Sequence, residues 1–308
     1  MEPTSWPESA WTYTRIKSLF NMAENKKYIG RALASFLLVL FTMPLGHAAM
    51  ILMEHYLEPG TLHVCAFLLG LAGLLLTVAG VFVRGDLKQT LFGLAGGLLF
   101  WTGWVEFLFQ YYADRYGMEP VTDPVSGNVT QPEYLILQAS FGFLMMFVLL
   151  YMFSIRSGCN FFNWCQKRLF GKRRDIIVAR PMTRHTSIVT FMELNVMMWA
   201  TYLLLMFCYD TRFLGDTHPV TLTIATGCLV GSMFIFLKQI RIASWGANIR
   251  MAIATVLTFW TFVEVLGHIG IMSEIWVEPL EHIGAMTALA VLFIGLGGYT
   301  VYSAFVKR

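Results

Sequence analysis

Long apolar runs separated by short polar connectors repeat along almost the whole chain. A helix needs about 20 apolar residues to cross the roughly 30 Å hydrocarbon core of a bilayer. The pattern predicts eight transmembrane helices, at residues 31–56, 62–83, 90–113, 133–155, 187–209, 220–240, 249–271 and 283–305. The predicted fold class is therefore all-α, a polytopic integral membrane protein.

The composition excludes an ordinary soluble protein. Apolar residues make up 56% of the 308 positions and charged residues only 13%, against about 25% in a typical soluble domain. No Walker A loop, His-Glu-x-x-His pattern or Gly-x-Ser-x-Gly turn occurs in the sequence. Any chemistry is therefore expected in the bilayer or at its surface.

Basic residues predict how the protein is oriented in the membrane. With eight spans, 20 of the 22 Lys and Arg residues fall on one side, eight of them in the loop 156–186, and only Arg115 and Arg212 fall on the other. By the positive-inside rule, both termini and this loop are cytoplasmic in a cell membrane. We interpret the basic loop as an orientation signal that contacts lipid headgroups, and we predict no nucleic-acid partner.

The same pattern predicts the domain organisation. Residues 1–30 form a cytoplasmic tail with a short amphipathic helix. Residues 31–155 form a first four-helix half, 156–186 the basic loop, and 187–308 a second four-helix half.

The first and last helical hairpins share a spacing of polar residues at their outer ends. The first hairpin contains Gly46-His47, Glu54, Glu58-Pro59 and His63. The last contains Gly267-His268, Glu274, Glu278-Pro279 and His282. The step from Glu to Glu-Pro is the same in both, and the other gaps differ by one residue. We therefore predict an internal repeat of outward-opening hairpins.

A second similarity links the third and seventh spans. Residues 100–106, Phe-Trp-Thr-Gly-Trp-Val-Glu, resemble residues 259–264, Phe-Trp-Thr-Phe-Val-Glu, with one inserted residue. The similarity gives Glu106 and Glu264 corresponding places. A two-helix hairpin copied four times and a four-helix half copied twice both agree with these similarities.

Ionisable residues concentrate near the outer ends of the predicted spans. Because a charged group inside a bilayer costs several kcal/mol, such residues indicate a functional site. The candidate metal ligands are His47, Glu54, His63, Glu106, Glu264, His268 and His282. The hairpin plan predicts two histidine pairs, His47 with His63 and His268 with His282, with Glu106 and Glu264 between them.

Imidazole and carboxylate together suit copper, iron or zinc, because neutral histidine is the commonest metal ligand near physiological pH. A haem is the alternative cofactor, for which His47 and His268 are the candidate axial ligands.

The spacing Glu264-x3-His268 with a later His282 resembles the copper ligands in the membrane part of particulate methane monooxygenase. The resemblance covers these three positions only, with Glu in place of Asp and one more residue in the later gap. It implies copper coordination by Glu264, His268 and His282.

Glu193 is different, because it lies in the inner third of the fifth predicted span. We predict that it belongs to a proton path from the cytoplasm or joins helices by hydrogen bonds. Trp199 and Tyr202, close by, are interpreted as packing residues.

Three functions follow from these residues. The first is membrane redox or metal-assisted chemistry on a lipid-soluble or small substrate at a metal or haem site. The second is a proton-coupled transporter that uses Glu106, Glu264 and Glu193. The third is a membrane protein that anchors or assembles a larger complex with other membrane subunits. Intramembrane Glu and His can also serve only as hydrogen-bonded helix contacts.

Overall fold

The structure is a computed structural model that describes residues 8–124, 127–154, 164, 166–168, 171 and 185–305. Within these ranges, the side chains of residues 8–27, 133–134, 148–154 and 303–305 are not described. Most of the basic loop 156–186, on which the orientation prediction partly depends, lies outside the described residues.

The described chain is built almost entirely from helices. Its α-helices are α1 Glu8–Tyr56, α2 Pro59–Phe82, α3 Asp86–Phe100, α4 Phe107–Arg115, α5 Pro132–Leu137, α6 Phe141–Ser154, α7 Thr186–Tyr209, α8 Pro219–Gln239, α9 Trp245–His268 and α10 Ile283–Phe305. A π-helical turn, Trp101–Glu106, joins α3 to α4, and a 3-10 turn, Gln138–Ser140, joins α5 to α6. Two short antiparallel strands, β1 Val121–Thr122 and β2 Val129–Thr130, form a hairpin in which Val121 pairs with Thr130.

The predicted fold class is confirmed: the protein is an all-α, polytopic membrane protein. Among the described residues, seven helices are long and apolar enough to cross a membrane: Tyr28–Tyr56, Pro59–Phe82, Asp86–Arg115, Thr186–Tyr209, Pro219–Gln239, Trp245–His268 and Ile283–Tyr302. The remaining predicted span, 133–155, corresponds to α5, the 3-10 turn and α6, whose described apolar stretch, Leu135–Phe147, is shorter. The predicted tail helix and the first span form one continuous helix, α1, which runs from Glu8 to Tyr56.

Proline and glycine residues mark several of the helix ends. α2, α5 and α8 begin with Pro59, Pro132 and Pro219, and proline suits the first helical turn because the missing N–H has no partner there. α9 ends where Gly270 adopts a φ of 75°. Glycine adopts this left-handed conformation without the steric cost that other residues incur.

α9 is the central helix of the bundle. It packs against α1, α3, α7 and α8, and 56% of its apolar segment is buried, against 11% for α10. Ile249, Ile253 and Val256 of α9 are fully buried in the main apolar cluster. α3 lies close to α2 because Gly73 and Gly96 face each other, and a Cβ on either would overlap backbone of the other helix.

A buried polar network joins the inner ends of three helices. Gln239 Nε2 of α8 donates to the Ala32 carbonyl of α1 and to Asn248 Oδ1 of α9, each at 3.0 Å. Thr255 Oγ1 donates to Gln239 Oε1. This network lies at the inner end of the bundle. The outer end is the opposite one, where α1 ends and α2 begins.

Candidate functional site

A cavity of about 320 Å³ lies at the outer end of the bundle. Its lining comes from α1, the π-turn and α4, strand β2, α7, α9 and the loop that follows α9. The lining residues are His47, Met50, Ile51, Glu54, Glu106, Gln110, Val129, Thr130, Gln131, Tyr202, Leu205, Met206, Tyr209, Glu264, His268, Glu274, Trp276 and Val277. At 1.5 Å per residue, His47 and Glu106 lie about 14 Å before the ends of α1 and α4, so the cavity reaches into the membrane-spanning part of the bundle.

The cavity is rich in acidic groups. Glu54, Glu106, Glu264 and Glu274 line it, and none of the described lining residues is Lys or Arg. The two histidines, His47 and His268, are the lining side chains that can become positive. Protons and a bound cation can therefore supply positive charge to these carboxylates within the cavity.

His47 and Glu106 form a direct contact across the cavity wall. His47 Nδ1 lies 2.8 Å from Glu106 Oε1, and each side chain is about 20% exposed. When Glu106 is ionised, the Nδ1–H group donates to it. The contact joins α1 to the π-turn, and it fixes one imidazole against one carboxylate at the deep end of the cavity.

The π-turn explains the inserted residue in the sequence similarity. A π-helical turn contains one more residue than an α-helical turn, and such turns are frequent at functional sites. The turn Trp101–Glu106 coincides with the segment that has one residue more than 259–264. Glu106 thus lines the same cavity as Glu264 in spite of the insertion.

The Glu264 carboxylate is held by a tryptophan of its own helix, α9. Trp260 Nε1 donates to Glu264 Oε1 at 2.6 Å. The Trp260 ring also packs on Trp276, with ring centroids 4.7 Å apart. The loop after α9 therefore contacts the residue that orients Glu264.

His268 connects the cavity to the outer loops. Its ring stacks on Tyr209, with centroids 3.9 Å apart and an interplanar angle of 12°, and its Nε2 lies 3.9 Å from Asp216 Oδ2. Asp216 is fully buried and accepts a hydrogen bond from Asn128 Nδ2, just before β2. These contacts hold the β-hairpin, which supplies Val129 and Thr130 to the cavity, against the loop between α7 and α8.

Glu274 reaches the cavity from the loop between α9 and α10, outside the membrane-spanning helices. Burial raises the pKa of its carboxyl group, and the nearby His47 opposes this shift. Gly267 lies directly beside it: a Cβ on Gly267 would be 2.6 Å from Cγ and Oε1 of Glu274.

The structure brings together five of the seven predicted ligands and leaves out two. His47, Glu54, Glu106, Glu264 and His268 line the cavity, whereas His63 and His282 do not. The predicted pairs of His47 with His63 and His268 with His282 are therefore not formed around the cavity.

Helix packing explains the position of the two excluded histidines. α2 packs on α3 and the π-turn, so the exposed His63 lies against Phe107 and Tyr111 instead. α10 packs on α1, and His282, just before α10, remains partly exposed.

The described residues contain no group of three or more His, Cys, Asp or Glu side chains placed to hold a metal ion. The copper-like set Glu264, His268 and His282 is likewise not assembled around the cavity, because His282 does not line it.

Sequence reasoning did not predict most of the other lining residues, and four of them, Tyr202, Tyr209, Trp276 and Glu274, carry aromatic or acidic groups. Tyr202 was predicted to serve only in packing, but it lines the cavity, as do Tyr209 and Trp276. Glu274 could have been predicted, because the hairpin similarity gives it the position in the last hairpin that Glu54 has in the first. Both residues line the cavity.

A smaller cavity of about 20 Å³ lies next to the His47–Glu106 contact and is lined also by Thr42, Thr102 and Tyr202. A water needs about 10–15 Å³ and several polar partners, so one water fits here.

Glu193 is buried in α7 and lines neither cavity. Its role in a proton path stays a prediction.

No protein-family model, no curated protein and no solved structure matches this chain. Its function is therefore inferred from the cavity itself.

Proposed function

We propose that this membrane protein binds a small organic cation in the outer cavity and exchanges it for protons on the cavity carboxylates, as a proton-coupled transporter does. The observation that carries the proposal is the lining itself. Four carboxylates and two imidazoles meet in one cavity, and no Lys or Arg lies among its described lining residues.

Electrostatics links cation binding to protons. Carboxylates gathered in one cavity repel one another, and a proton or a bound cation among them reduces this repulsion. A bound cation that reduces the repulsion displaces protons. Binding of the cation and release of protons are then two sides of one equilibrium.

Size and lining favour an organic cation. Ligand sites for small molecules are about 300–1,000 Å³, mostly apolar, and contain a few polar groups. Here Met50, Leu205 and Met206 provide apolar surface, and Tyr202 and Tyr209 provide aromatic rings, which attract alkylammonium groups. A protonated amine of modest size suits this combination.

Binding of a defined probe tests the proposal. We expect phenethylammonium to bind the purified protein in detergent, measured by isothermal titration calorimetry, and the uncharged 2-phenylethanol to bind at least tenfold more weakly. Glu264→Gln should weaken phenethylammonium binding, whereas Glu278→Gln, an exposed acid that does not line the cavity, should not. Equal binding of the charged and uncharged probes would contradict the proposal.

Transport is tested separately in proteoliposomes. An inward-directed phenethylammonium gradient should drive protons outward, read by a pH-sensitive dye inside the vesicles. Glu264→Gln should abolish the pH change. Tight binding without any coupled proton movement would limit the protein to a receptor role.

A copper, iron or zinc site, or a haem, is the second candidate. It is favoured by the 2.8 Å contact of His47 with Glu106, with Glu264 and His268 on the same cavity. Such a group would supply redox or Lewis-acid chemistry. Elemental analysis and the visible spectrum of the purified protein test it. A stoichiometric metal that His268→Ala removes would support it over the organic cation.

A further inference from the structure

We propose that Gly267 is a positioning residue that leaves room for Glu274 to enter the cavity and act as a ligand of the cation. This inference rests on the proposed function. It says how Glu274, the one of the four cavity acids that does not belong to a membrane-spanning helix, is placed, and it explains a glycine inside the last turn of α9.

The chain returns over its own helix through a defined turn. Gly270, with φ of 75°, follows the last residues of α9. Its N–H donates to the Gly267 carbonyl at 2.8 Å, and the Ile271 N–H donates to the Leu266 carbonyl at 3.0 Å. These two bonds form a Schellman motif, which satisfies the terminal carbonyls and reverses the chain. Glu274, four residues later, then lies beside Gly267.

Gly267 is buried and provides the space in which Glu274 lies. A Cβ there would be 2.6 Å from both Cγ and Oε1 of Glu274 and 3.0 Å from Cδ. Contacts under 3 Å between carbon atoms force one group to move. The group free to move is the Glu274 side chain, because Gly267 is fixed within α9.

The loop itself is held on the core beside Glu274. Trp276 is only 5% exposed and packs on Trp260, which donates to Glu264. Val277 N–H donates to the Glu274 carbonyl at 2.9 Å. The loop around Glu274 is thus held close to Gly267 in the wild type, so a Cβ at position 267 would push the carboxylate away from the cavity and strain the loop that carries it.

A double-mutant cycle on phenethylammonium affinity tests this role. We expect Glu274→Gln to weaken binding about ten- to a hundredfold, the range for a lost charged contact. Gly267→Ala should weaken it to a similar extent, and the double variant should be no worse than Glu274→Gln alone. The controls are Gly284→Ala, whose Cβ meets nothing within 4 Å, and Glu278→Gln on the same loop; both should bind like the wild type. Wild-type affinity in Gly267→Ala, or additive losses in the double variant, would overturn the proposal.

Hydrogen exchange separates this inference from the proposed function. Gly267→Ala should raise amide exchange in residues 271–278 relative to Gly284→Ala, in the absence of any probe, because the displaced Glu274 disturbs the loop. Unchanged exchange in these residues overturns the positioning role. Raised exchange in a protein that fails to bind phenethylammonium would instead reject only the cation site.

Discussion

The contact between His47 and Glu106 is the residue-level feature on which the deep end of the cavity depends. Its two atoms are 2.8 Å apart, and both side chains are about four-fifths buried. A charged or polar group that loses its partner in such a place keeps the full cost of desolvation, whereas removal of both partners leaves no group to solvate.

We predict that His47→Leu lowers the free energy of unfolding by about 1–3 kcal/mol, measured by chemical unfolding in detergent micelles. His55→Leu, an exposed histidine on the same helix, should change it by less than about 0.5 kcal/mol. The double variant His47→Leu/Glu106→Leu should recover most of the loss. A double variant as unstable as the sum of its parts would show that the two side chains do not act as a pair.

Glu274 should give the protein a specific dependence on pH. Because burial raises its pKa in the folded state above the usual 4.5, the folded protein binds the proton more tightly than the unfolded chain does. The contribution to stability is therefore complete below pH 4.5 and is lost as pH rises through the folded-state pKa.

The expected result is that the Tm of the wild type falls more steeply above pH 4.5 than the Tm of Glu274→Gln, in which position 274 no longer titrates. Thermal unfolding followed by circular dichroism across this pH range measures the difference. Parallel curves for the two proteins would show that Glu274 is not buried as described.

The sequence identified most of the acidic and histidine residues of the cavity, but it did not reveal how they are arranged. Intramembrane His47, Glu106, Glu264 and His268 were identifiable because charge in hydrocarbon is costly. Tyr202 was not, because an aromatic residue on an apolar helix carries no sign of whether it faces lipid, core or cavity. His63 and His282 were expected to meet the other ligands, but neither lines the cavity. Which face of α2 and α10 packs inward depends on their neighbours.

At the scale of elements, the π-turn is the feature that places Glu106. It packs against α2 so closely that a Cβ on Gly103 would overlap the Gly70 backbone nitrogen and the Ala66 carbonyl oxygen. Trp104, from the same turn, donates to the Phe67 carbonyl at 3.0 Å. Glycine at position 103 therefore lets the wider turn and α2 lie against each other.

We predict that Gly103→Ala lowers the free energy of unfolding by about 1–3 kcal/mol, as overpacking does, and weakens phenethylammonium binding through the displaced Glu106. Gly227→Ala on α8, whose Cβ would meet nothing within 4 Å, is the control. Thermal unfolding and calorimetric titration of both variants check the prediction. Wild-type stability in Gly103→Ala would contradict the packing of the turn on α2.

The helices themselves were largely predictable, and the irregular elements were not. The predicted span 187–209 matches Thr186–Tyr209, and 220–240 matches Pro219–Gln239, because hydropathy and length decide such segments. The β1–β2 hairpin was missed, since its strands are two residues long and polar in part. The sequence showed one extra residue in the segment of the π-turn, but spacing alone does not predict that a wider helical turn accommodates it.

For the whole molecule, the side of the membrane on which the first span begins decides which side the cavity opens to, because the cavity lies at the C-terminal end of α1. α1, α4, α7 and α9 all bring their last turns to the outer cavity. α7 therefore begins at the inner end, and α10 returns to it, since Tyr299 packs on Trp245 at the start of α9. This arrangement agrees with eight crossings. The distribution of Lys and Arg favours eight. We therefore predict that the cavity opens away from the cytoplasm.

Reporter fusions test this topology. Green fluorescent protein should fluoresce when fused to either terminus, and alkaline phosphatase should be active only when inserted in an outer loop, for instance after Gly117. Fluorescence from one terminus and phosphatase activity at the other would contradict eight crossings and the shared outer end of α1, α4, α7 and α9.

The central claim, that cation binding and proton release are one equilibrium in the outer cavity, is tested most directly by counting protons. Calorimetric titration of phenethylammonium in two buffers of different ionisation enthalpy, at the same pH, gives the protons released per cation bound. We predict about one proton in the wild type and fewer in Glu264→Gln. Identical binding enthalpies in the two buffers, with saturable binding, would contradict the claim.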